Sequence, residues 1–132
     1  MPVFLETVGL LALWDATDQW HNSATAAFDQ IVSARRSVVT SSYVMLECAN
    51  AAARRSYRSD VIDLRVELVA GGVLYEPTVA EIEAAWREYR RGTATAPGIV
   101  DLVSFEIVRR LQIQDAFTND RHFKASGFQA LF

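Results

Sequence analysis

Residues 98–123 read GIVDLVSFEIVRRLQIQDAFTNDRHF. From Asp101 the apolar positions Leu102, Phe105, Val108 and Leu111 recur at helical spacing, and the period then breaks. Ala116–Thr118 reads as a short buried strand, and Asp120 follows it at once. A helix that runs into a short buried strand is the repeating unit of an alternating α/β chain.

The rest of the chain keeps the same alternation. Pro2–Leu5, Val38–Thr40, Val73–Tyr75 and Phe128–Leu131 are short apolar runs that read as further buried strands. Between them the spacing predicts helices over Thr7–Asp15, Trp20–Ala34, Ser42–Arg55 and Ser59–Ala70, the last stopped by Gly71-Gly72. Thr78 and Glu81 form a capping box that opens a helix over Val79–Arg91, ended by Gly92, and the loop TATAPG leads on to Asp101. Residues 1–132 hold no repeat, low-complexity run or linker, so the expectation is a single three-layer α/β/α domain. Its central parallel sheet has four or five strands.

Half of the 132 residues are apolar (51%), enough for one core and too few for two domains. The single cysteine, Cys48, excludes an internal disulfide, and the first residues have neither a basic flank nor a small-residue cleavage site, so the expected setting is the cytoplasm. Glu6 and Asp15 bracket the longest apolar run, which falls short of the roughly 18 residues of a membrane span. The net charge of -3 gives no general attraction to polyanions, so nucleic acid would have to be held by local patches or through a metal on acidic groups. Nearly all the basic residues are arginine, whose planar fork suits phosphate oxygens, although solvated helix faces explain most of them.

Ligands of an open parallel sheet bind where the carboxyl ends of the strands diverge. Glu6 follows the first strand, Glu47 lies early in the helix after the second, Asp101 opens its helix, and Asp120 follows the strand Ala116–Thr118. Four converging carboxylates repel one another unless protons or a divalent ion neutralise them, and oxygen-only ligands select magnesium or manganese over zinc. Taken singly, each acid is more simply a solvated charge or a helix cap, Asp101 above all.

Three stretches carry a resemblance that changes this weighting: VFLETVGLLALWD at 3–15, TSSYVMLECANAAARR at 40–55, and the opening 98–123 segment with its D-x-x-S-F helix and A-x-T-x-D-x-H-F ending. Over almost its full length the chain resembles the PIN-domain family, and VapC-type toxins in particular. The resemblance implies that Glu6, Glu47, Asp101 and Asp120 are the metal-binding acids of the catalytic centre, with Thr7 and Ser104 as supporting hydroxyls. It further implies an Mg2+ or Mn2+ cofactor, an RNA substrate, neutralisation by a cognate antitoxin, and a homodimer. The acidic cluster by itself would equally suit DNA or a small phosphate ester. Asp101 and Ser104, three apart, share a helix face.

Glu6 departs from the family pattern, which has aspartate there. One more methylene displaces its oxygens by about a bond length unless the side chain folds back, and magnesium tolerates little distortion. Weakened catalysis, or a PIN-fold binding protein without turnover, is the alternative expectation. Asp115 precedes its strand and is read as a surface or capping residue. Arg121, beside Asp120, is the better phosphate candidate. Cys48, with no histidine partner evident in the sequence, is read as buried and apolar, and Trp14, Trp20 and Phe28 as core positions or a partner surface.

Overall fold

The structure, a computed structural model, describes residues 1–132. Five strands, β1 (Val3–Leu5), β2 (Val38–Ser41), β3 (Leu74–Tyr75), β4 (Asp115–Phe117) and β5 (Gln129–Ala130), form one sheet in the order β3-β2-β1-β4-β5. Every pairing is parallel. Val3, Phe4 and Leu5 are all fully buried although successive strand residues point to opposite faces, so both faces of the sheet are covered.

Seven helices supply that cover: α1 (Thr7–Trp14), α2 (His21–Ser33), α3 (Ser42–Ala52), α4 (Arg58–Ala70), α5 (Val79–Arg91), α6 (Ile99–Arg110) and α7 (Arg121–Ala125). Gly9 sets how closely α1 approaches the sheet, since a Cβ there would lie 2.0 Å from the Phe117 carbonyl oxygen. The expected capping box of α5 is present: the Glu81 amide donates to Thr78 Oγ1 and the Thr78 amide to Glu81 Oε1. Arg110 Nε then donates to Glu81 Oε2 at 2.9 Å, binding α5 to the end of α6.

The strands differ from the sequence expectation by a residue or two at their ends. Thr118 lies outside β4 because its amide turns back to the Ala116 carbonyl and leaves the ladder. Asp101 is not the cap of α6; Gly98 is, and Asp101 sits in the first turn. The short helix α7 has no counterpart in the sequence reading.

The order of strands fixes where a ligand site can form. From β1 the chain goes to β2 on one side and later to β4 on the other, so β1 and β4 flank the switch point where the connections part. At that end the β1–β2 ladder stops at Phe4 and Val39, and the buried Thr40 hydroxyl donates to the Leu5 carbonyl at 2.6 Å.

Candidate functional site

Glu6 follows β1 and is the N-cap of α1, its Oε2 accepting from the Val8 amide at 2.9 Å. The same oxygen accepts from Thr118 Oγ1 at 2.7 Å, so the side chain folds back and across the switch point to the end of β4. Glu6 is only 2% exposed. Burial, with the charges of Asp101 and Asp120 adding to it, pushes its carboxyl up to about 8 against the lowering effect of its two hydrogen bonds.

Glu47 comes in from α3, where its Oε1 accepts from Thr7 Oγ1 at 2.6 Å, a bond that ties α1 to α3. Asp101 enters from the first turn of α6, steadied by the Gly98 amide, and burial together with the charges of Asp120 and Glu47 raises its carboxyl to about 6. Asp120 caps α7 through the His122 amide at 2.8 Å. Ser104 is buried on α6, one turn beyond Asp101. The charges of Asp101 and Asp120 act on Glu6 and that of Glu47 acts on Asp101, and no arginine or lysine lies within 4.0 Å of any of the four.

Comparison with known proteins bears on this geometry. The PIN domain family matches residues 3–129. The chain belongs to the PIN-domain family. Among solved structures it is similar to a Mycobacterium tuberculosis VapC20, described as a sarcin-ricin loop cleaving toxin. The two are 26% identical over 96% of each chain, with a TM-score of 0.78. No curated protein sequence matches the chain. The family and the α/β/α fold expected from the sequence are thus both found.

The acids of this PIN domain fit a hard divalent cation: they offer carboxylate oxygens, with no lysine or arginine within 4.0 Å. Asp101, Asp120 and His122 each bring a ligand-type atom within 4.8 Å of the others. We weigh the histidine as a support for Asp120 instead of a ligand, because both its nitrogens are occupied. Nδ1 lies 3.0 Å from Asp120 Oδ1, and Nε2 lies 3.0 Å from the Thr95 carbonyl. His122 therefore fastens the loop before α6 to the acid after β4. One residue separates His122 from Asp120 in the sequence, a spacing that gains meaning only through the contact with Thr95.

Other residues of the PIN domain fall where their chemistry puts them. Asp115, at the far end of β4, pairs with Arg36 at 2.6 Å and stays outside the cluster. Arg121 is exposed beside Asp120. Cys48 is fully buried, and burial together with the Glu6 and Glu47 charges pushes its thiol up to about 12, which removes it as a nucleophile. Trp14 stacks on Tyr57 and Phe28 meets the edge of Phe117, so of the three aromatic residues only Trp20 is exposed.

Proposed function

We propose that this PIN domain is a magnesium- or manganese-dependent endoribonuclease, the toxin half of a toxin and antitoxin pair, acting in the cytoplasm. The observation that carries the reading is the approach of Asp101 and Asp120, which bring ligand-type atoms within 4.8 Å of each other, with the charges of Asp101 and Asp120 acting on Glu6, that of Glu47 acting on Asp101, and no lysine or arginine within 4.0 Å of the four. Such a group is stable at neutral pH only with protons or a cation bound. Glu6, Glu47, Asp101 and Asp120 would hold the ion. When bound, it makes water a stronger acid and offsets negative charge on a phosphodiester.

The protein's own part is placement. Thr7 holds Glu47 through its hydroxyl, and the Gly98 amide steadies Asp101. Arg121 offers an exposed guanidinium beside Asp120 for a substrate phosphate. With Cys48 sealed in the core, direct hydrolysis by water is favoured over a covalent intermediate. RNA as the substrate is supported by the likeness to a sarcin-ricin loop cleaving toxin.

Neutralisation by a cognate antitoxin protein and homodimerisation belong to the same proposal. Ile62, Val66 and Val69 on α4 are 56, 60 and 51% exposed and spaced to share one face, which supports a protein partner there. No helix is long and apolar enough to cross a membrane.

The decisive experiment is cleavage of single-stranded RNA with millimolar manganese. Asp101→Asn is expected to lower the rate about a hundredfold, and a chelator to abolish it. Cutting that survives both treatments unchanged would overturn the reading.

A further inference from the structure

Thr118, the threonine of the A-x-T-x-D-x-H-F ending, is neither one of the four acids nor one of the two supporting hydroxyls, Thr7 and Ser104, yet it touches two of the acids at once. Its side chain is fully buried. Oγ1 donates to Glu6 Oε2 at 2.7 Å and accepts from the Asp120 amide at 3.0 Å. One oxygen therefore sets the carboxylate that follows β1 and the backbone of the acid that follows β4. The anchor itself is stiff: the Thr118 amide donates to the Ala116 carbonyl at 3.0 Å, its carbonyl accepts from the Phe132 amide at 3.4 Å, and a β-branched side chain has little rotamer freedom.

The pattern of bonds on Glu6 is one-sided. Both donors, the Val8 amide and the Thr118 hydroxyl, fall on Oε2, and Oε1 takes no hydrogen bond. No buried side-chain oxygen is left unpartnered, so Oε1 is in contact with solvent. The extra methylene of glutamate is taken up in reaching these two donors, and one oxygen is left over for the site.

We propose that Thr118 is a positioning residue that makes Glu6 work where the family pattern has aspartate, by anchoring Oε2 so that Oε1 alone is presented to the acid cluster. The inference rests on the metal-site reading above. It predicts an enzyme that is not impaired by Glu6, because the displacement expected from a longer side chain is absorbed by folding back to Thr118. An aspartate at this position would still cap α1 through the Val8 amide but, being one methylene shorter, would depend less on the Thr118 hydroxyl.

The test is a double-mutant cycle on the full chain, read by manganese affinity in calorimetry and by RNA cleavage. Thr118→Val, which keeps the volume and drops the hydroxyl, is expected to weaken manganese binding about tenfold and cleavage by about ten- to a hundredfold. Thr118→Ser should stay within about threefold of the parent, since it keeps the hydrogen bonds. In a Glu6→Asp background the loss from Thr118→Val should shrink to about threefold or less, and Glu6→Asp alone should cleave no more than about threefold faster than the parent. Where the valine variant does not melt cooperatively, Thr118→Ala takes its place.

Equal losses in both backgrounds, or manganese binding unchanged by Thr118→Val, overturn the proposal while leaving the nuclease reading in place, provided Asp101→Asn still lowers cleavage about a hundredfold. Absence of cleavage by every variant, with the coupling intact in manganese affinity, overturns the nuclease reading and supports the role of Thr118. A parent chain that binds no manganese overturns both.

Discussion

Gly9→Ala is expected to cost more than about 3 kcal/mol of stability and to lower the melting temperature by more than about 10 °C. The added Cβ would sit 2.0 Å from the Phe117 carbonyl oxygen and 2.7 Å from its carbon, both backbone atoms of the neighbouring strand. Neither can swing away like a flexible side chain, so α1 must lift off β4 or the sheet must bend, in a core packed to crystal density. Because Phe117 directly precedes Thr118, the displacement reaches Glu6 and Asp120 as well, and manganese affinity should fall with stability. Gly98→Ala is the matched control, since a Cβ there meets nothing within 4 Å and its backbone is extended at φ -69°; it should change stability by less than about 1 kcal/mol. A calorimetric melt of the two variants decides the matter, and a Gly9→Ala protein that melts with the parent would show that α1 is not held at this distance.

The metal-free protein is expected to lose stability as the pH rises from about 4.5 to 8, by on the order of 4 kcal/mol. The sign follows from the direction of the shift. Glu6 has an ordinary value of 4.5 unfolded and about 8 folded, so between these the folded chain holds a proton that the unfolded chain has released. Its contribution is fully present below 4.5 and is gone above 8. Asp101, raised from 3.8 to about 6, acts in the same direction over a lower window. On the proposed reading manganese binds the ionised acids of the folded chain, so saturating ion should restore stability most at the alkaline end. Denaturant melts in chelator at pH 5 and pH 8.5, repeated with manganese, test this. Glu6→Gln should flatten the chelator curve. A metal-free protein as stable at pH 8.5 as at pH 5 would mean that Glu6 is not held in the crowded, buried state described.

Much of this architecture was legible because the local signals agree with the global fold. Thr78 with Glu81 marked the start of α5, Gly71-Gly72 marked the end of α4, and the period through Leu102, Phe105 and Val108 marked α6. The placement of Glu6, Glu47, Asp101 and Asp120 after successive elements pointed to a common end of the sheet. What stayed hidden depends on contacts between distant parts of the chain. Neither the Thr118 bond to Glu6 nor the His122 bond to Thr95 has a local signature, and both became visible only with the strand order. Trp14 and Phe28 were ambiguous for the same reason: an aromatic residue on a helix reads alike whether it meets Tyr57, Phe117 or a partner.

The strand order also sets a timetable. β1 precedes the other four strands in the chain, but one of its two neighbours is β4, and the Glu6 and Thr118 side chains that meet across that gap are 112 residues apart. While the chain is still being translated, β1 can pair with β2 alone, and the long-range closure that completes the crevice must wait for residues 115–120. An emerging chain thus carries Glu6 and Glu47 without Asp120 or the hydroxyl that aims Glu6. On the proposed nuclease reading, a chain that has not yet reached residues 115–120 would hold an incomplete centre and would not cut, so activity would arise only after the β1–β4 closure.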